Sequence, residues 1–291
     1  MSESLRENMS STKKSKVTIT LIVALLIVAL GSLAYQFLWG KLFVYSPMKL
    51  GFSRHELSNT IIYVQHGAKF DGYAAFDTYP PAVVATHELR FREKPVIYIF
   101  RDDEDYLRLS TTKARFCAYP NGGLVISPWA LKEAQEGKIS LETYLKHELS
   151  HTLLYQQMGV LNAYIYFPRW LLEGTAMYRA DQMGTSWYPG RKETFGYIGQ
   201  GNFIDPRDYA TAREKRAVLN VKYPIAFMYS EFGYIVDDLI ATFGKQKFMQ
   251  YTRHLFSSLD HERVFKDVYG IDFDGFLLDF RKRVEEVAPK T

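Results

Sequence analysis

An α+β domain behind a membrane-spanning helix is the architecture this sequence predicts, on three observations. Residues 17–39 run without a charged side chain. Between residues 43 and 128, short runs rich in β-branched and aromatic residues alternate with Gly, Pro and charged clusters. From residue 140 almost to the C-terminus, apolar residues recur at the three-and-four spacing of helices. The expected division is a tail at 1–16, an anchor at 17–39 and one domain at 43–291, in which a small mixed sheet lobe precedes a helical lobe.

The tail is rich in Ser, Lys and Glu, has no apolar period, and is expected to be disordered. The run that follows meets the roughly 20 residues needed to span a bilayer, and Tyr35 and Trp39 at its far end suit the interface. A cleaved signal peptide would have a shorter apolar core and a clear small-residue cleavage site. Gly31-Ser32-Leu33-Ala34 is a poor version of one, so an uncleaved single-pass anchor is preferred. Lys13, Lys14 and Lys16 precede the span, against Lys41 and Lys49 after it. The positive-inside rule then puts the N-terminus in the cytoplasm and the domain outside. The single cysteine, Cys117, allows no intrachain disulfide and fits either compartment. A net charge of +4 over 291 residues gives no sign of a nucleic-acid partner.

In the expected sheet lobe, residues 61–64, 96–100 and 124–127 read as strands. Asp102, Asp103, Glu104 and Asp105 read as the capped entry to a short helix rather than a metal cluster. The helical part opens at Ser140, a good N-cap, with Leu141, Tyr144, Leu145, Leu149 and Leu153 in period until Gly159.

On that helix lies His147-Glu148-Leu149-Ser150-His151. Histidines four apart stand one turn apart on one face, so both imidazoles can reach one metal ion, with Glu148 beside it. This is the H-E-x-x-H pattern of zinc metallopeptidases, in which the carboxylate serves as general base. The chain contains its own controls. His55-Glu56, His87-Glu88 and His261-Glu262 are followed at the fourth position by Asn59, Phe91 and Phe265, so only His147 completes the motif. A second helical run starts at Pro168 and carries Glu173 among apolar residues, where a carboxylate is costly unless paired or metal-bound. Glu173 is the natural third ligand of a His-His-Glu set. The metzincin pattern is excluded, because Leu154 and Gln157 stand where it needs a glycine and a third histidine.

HELSH at 147–151 followed by WLLEGTAMY at 170–178 resembles the gluzincin clan of zinc peptidases, most closely its compact peptidase MA-like members. The resemblance is specific at these two segments and looser elsewhere between residues 122 and 287. It implies a zincin-like fold, Zn2+ held by His147, His151 and Glu173, Glu148 as general base, and a peptide or protein substrate. The stretch from Tyr229 to Gly244 is similar to the tyrosine-bearing helix of aminopeptidase-type gluzincins, which implies an oxyanion-stabilising role for Tyr229; Tyr223 and Tyr234 compete with it. Gluzincins hold an extended substrate on an edge strand, and the corresponding place, the last strand before the zinc helix, falls on Gly123, Leu124, Val125 and Ile126. A plain hairpin with a Gly-Gly turn is the alternative. No Gly-x-Met-Glu-Asn segment is present, so aminopeptidase activity is not expected. Met177 stands where thermolysin-like enzymes have the aspartate that orients a histidine, leaving Asp181 as a substitute.

Residues 187–222, with repeated Gly, Pro and basic side chains, read as a solvated connector or a lid. Residues 223–288 read as four helices. The expected function is that of a membrane-anchored zinc metallopeptidase. The rival is a tethered, non-catalytic binding or scaffold module of the same fold, against which the intact Glu148 argues.

Overall fold

With no Gly or Pro between residues 3 and 30, nothing interrupts a helix once the apolar run has nucleated it. The computed structural model, which describes residues 3–288, accordingly shows one helix, α1 (Glu3–Trp39), where the sequence suggested a disordered tail and a separate span. Residues 1, 2 and 289–291, the outermost parts of the expected tail and domain, lie outside the described residues. Residues Thr18–Trp39 of α1 are long and apolar enough to cross a membrane.

After a single turn of 3-10 helix (Phe43–Tyr45) come β1 (Phe52–Glu56), β2 (Ile61–Gln65), α2 (Tyr79–His87), β3 (Val96–Ile99), α3 (Asp103–Leu109), β4 (Phe116–Ala118), β5 (Gly123–Ile126) and α4 (Pro128–Gln135). The sheet is mixed, in the order β1-β2-β3-β5-β4, with β2, β3 and β5 parallel and the outer two strands antiparallel to their neighbours. Asp102 caps α3 as expected, accepting from the Asp105 N–H.

Strand alternation divides the sheet's side chains between two faces. Ile97, Ile99, Leu124 and Ile126 point to one face and join Leu145, Leu149 and Leu153 of α5 (Leu141–Gln157) in one core. Tyr98, Phe100 and Val125 point to the other face and bury Phe43 and Val44, just past the end of α1. Ser140 caps α5 through the Thr143 N–H, a contact worth about 1 kcal/mol.

The remaining helices are α6 (Arg169–Arg179), α7 (Arg191–Tyr197), α8 (Pro224–Phe243), α9 (Lys245–Leu255), α10 (His261–Tyr269) and α11 (Phe273–Val287). They share a third core built on Trp170, Phe232, Phe265 and Phe276. Within it α6 packs tightly on α8. A Cβ built on Gly174 would lie 2.5 Å from the Phe232 carbonyl oxygen, so only glycine fits directly after Glu173. The expected helix entry at Pro168 and the helices between residues 223 and 288 are all present.

Candidate metal centre

Helical spacing brings His147 and His151 onto the same side of α5, and the close α6–α8 contact carries Glu173 to face them. His147 Nε2 and His151 Nε2 lie 3.0 Å apart, and each lies 3.4 Å from Glu173 Oε2. The three residues form a group able to hold a metal ion. Ligands at about 2.0–2.1 Å from a tetrahedral zinc sit about 3.3 Å from one another. The observed edges, 3.0 and 3.4 Å, lie close to that spacing.

Burial alone would push the Glu173 carboxyl up, but His151 and His147 hold it far below the usual carboxylate range. Burial likewise works to lower His151, and the Glu173 carboxylate outweighs it, so this imidazole is raised. Both Nδ1 atoms are buried and take no hydrogen-bond partner among the described residues. The expectation that Asp181 orients a ligand histidine therefore fails. Asp181 lies two residues past α6 in a left-handed conformation (φ 50°), and neither Nδ1 donates to it.

Glu148, one position along from His147, turns the other way, and its Oε2 accepts the Ala118 N–H at 2.7 Å. Ala118 belongs to β4, one of the two edge strands of the sheet and the one beside α5. Here the structure corrects the sequence reading. Gly123, Leu124, Val125 and Ile126 form β5, an interior strand paired on both sides and fully buried, and offer no edge to a substrate. Arg115, Cys117 and Tyr119 of the β4 segment bond toward β5, so the backbone groups of Phe116 and Ala118 point to the open side.

The centre lies in a cavity of about 600 Å³ whose walls include residues 114–118, Tyr155, Tyr188, Tyr223 and Tyr229. Two tyrosine rings stack on the two imidazoles: Tyr229 on His147, with centroids 6.5 Å apart, and Tyr155 on His151 at 6.2 Å. The Tyr229 hydroxyl is 2.9 Å from that of Tyr209. Burial, then the Glu173 carboxylate, push the Tyr229 phenol well above its ordinary value, so it remains a hydrogen-bond donor. Of its competitors, Tyr223 is exposed on the cavity rim, and Tyr234 packs on Phe195 instead. Cys117 also lines the cavity, but burial and the carboxylates of Glu148 and Glu173 push its thiol up to about 12.

Sequence reasoning missed Ala118, Tyr155, Tyr188 and Tyr209. Tyr188 did carry a signal, since it stands at the start of the irregular 187–222 segment. Only the ends of that segment, Trp187, Tyr188 and Lys222, line the cavity. Two of its arginines are engaged elsewhere, Arg191 with Asp237 and Arg207 with Asp205 and Asp274. His87, from a His-Glu pair without the motif, is a core histidine. Its Nε2 is 2.8 Å from Ser150 Oγ, and burial pushes its imidazole down to about 3.

No known family model and no curated protein matches this chain.

Proposed function

We propose that the protein is a membrane-anchored zinc metallopeptidase, with α1 as an uncleaved anchor and the domain outside the cytoplasm. The observation that carries this reading is the triangle of His147 Nε2, His151 Nε2 and Glu173 Oε2, with the Glu148 carboxylate beside it and an open strand edge in front. Two imidazoles and a carboxylate at tetrahedral spacing are a donor set suited to zinc. Zinc held there would polarise the scissile carbonyl and make water acidic enough to be deprotonated near pH 7.

The chain's own residues would do the rest. The outward N–H and C=O groups of Phe116 and Ala118 pair with an extended peptide, which displaces Glu148 from the Ala118 N–H and adds a strand to β4. Glu148 accepts a proton from water as the new C–O bond forms, and returns it to the amine nitrogen as the C–N bond breaks. Tyr229 donates its phenolic hydrogen to the oxyanion that develops between those two steps.

The test is cleavage of a peptide library by the metal-loaded full chain, beside Glu148→Gln. The glutamine variant keeps its metal and loses turnover by about 10²–10⁴-fold. Metal-loaded wild type that cleaves nothing, or a variant that cleaves equally well, would overturn the reading in favour of the non-catalytic module.

A further inference from the structure

Residues 158–167 contain no charged side chain. The segment is held firmly from below. Asn162 Nδ2 donates to the carbonyls of Leu255 and Phe256, both at 2.9 Å, and Phe167 stacks on Phe256. Its outer side carries Val160, Leu161, Tyr164 and Ile165, exposed by 60%, 64%, 46% and 62%. Asn162, the segment's one amide side chain, is turned inward and buried. A fixed, uncharged, outward apolar cluster marks a contact surface rather than an ordinary solvated turn.

What covers it follows from where α1 ends. Trp39 is the last residue of the candidate span, and Phe43 and Val44 are already buried in the sheet core. The short junction is clamped to the domain. Arg108 Nη1 donates to the Trp39 carbonyl at 2.7 Å, and the Lys41 ammonium donates to the Leu107 carbonyl. No flexible stalk separates the domain from the helix, so surfaces tied to this junction lie at the level of the membrane boundary. The apolar segment is tied to it directly: the Tyr164 hydroxyl is 2.8 Å from that of Tyr45, six residues past Trp39. Tyr35 and Trp39, themselves exposed, are the aromatic types that settle at a bilayer interface.

We propose that Val160, Leu161, Tyr164 and Ile165 rest in the headgroup–acyl boundary of the bilayer that α1 spans, a second membrane contact beside the anchor. The inference rests on reading α1 as a membrane span. Interfacial segments bind in this way, with apolar side chains sunk some 5–10 Å into the boundary. The contact fixes the tilt of the domain. It also keeps the cleft close to the lipid, because His151 stands six residues before the end of α5, about 9 Å along the helix axis.

The experiment uses the full chain in phosphatidylcholine vesicles, with Cys117→Ser removing the only cysteine. A nitroxide is attached to a cysteine introduced by Leu161→Cys, Ile165→Cys or, within the span, Leu30→Cys. Its collision rates with oxygen and with an aqueous nickel chelate are then measured. All three positions are exposed, so the labels do not disturb packing. Labels at 161 and 165 that collide more with oxygen than with the chelate, at shallower depth than the label at 30, are the expected result. Labels at 161 and 165 that favour the chelate, with the label at 30 in lipid, overturn this inference and leave the anchor intact. A water-exposed label at 30 overturns the anchor and the inference together.

Discussion

The backbone N–H of Ala118 donates to the Glu148 carboxylate across 2.7 Å, joining the open edge of the sheet to the helix that carries both histidines. In the proposed function this contact couples substrate to catalyst. A peptide pairing with β4 competes for the Ala118 N–H, and a carboxylate that gives up this bond is released toward water and the scissile carbonyl. Such a charge-assisted bond is worth about 1.5–3 kcal/mol, within the range that main-chain pairing can replace.

Replacing Tyr229 by Phe removes one hydroxyl from a packed ring and leaves its stacking on His147 in place. Loss of one oxyanion donor costs about 10²–10³ in turnover. We expect kcat to fall by that order, with KM and bound metal little changed. Steady-state kinetics with metal analysis on the same sample checks this, and an unchanged kcat would remove Tyr229 from the mechanism.

Gly174→Ala places a methyl group 2.5 Å from the Phe232 carbonyl oxygen and 3.0 Å from Val236 Cγ2. Backbone cannot yield as a side-chain tip does, so α6 must move away from α8. Overpacking of this kind costs about 1–3 kcal/mol. Because Glu173 is the preceding residue, metal affinity should fall together with stability. Chelator competition and thermal melting measure the two, and intact affinity in a destabilised variant would separate the packing from the site.

Glu231 is fully buried in α8. Among the described residues its Oε1 accepts only the Ile204 N–H, at 3.3 Å, its Oε2 has no partner, and burial pushes its carboxyl well above the ordinary value. A carboxyl raised in the folded state binds its proton more tightly there than in the unfolded chain. Stability from this group is therefore complete at low pH and declines as pH rises past its unfolded value of about 4.5. Glu231→Gln should melt above wild type at neutral pH, with the gap closing toward pH 4. Parallel melting curves across that range would show it, and a gap that does not change with pH would refute it.

Most of the helical part was legible from local signals. Ser140 caps, the apolar residues of α5 keep their period, and the spacing of His147 and His151 needs only helix geometry. Glu173 was legible because a carboxylate in an apolar run demands a partner. Strand order was not legible. β4 is Phe116, Cys117 and Ala118, too short to show a period, and its place at the edge is set by pairing with a strand that follows it in sequence. The all-apolar Leu124, Val125 and Ile126 signalled an interior strand by their composition, and proximity in the chain to the histidine helix was a poor guide to proximity in space. The first residues of α1 were misread for a related reason, since a helix nucleated by the apolar span extends through polar neighbours at little cost.

The most direct test of the central claim is elemental analysis of the purified full chain after exhaustive dialysis, wild type beside His147→Ala and Glu173→Ala. The arrangement of His147, His151 and Glu173 predicts one zinc per chain in wild type and none in either variant. Folded wild-type protein that holds no stoichiometric metal, and takes up none from added zinc, would contradict it.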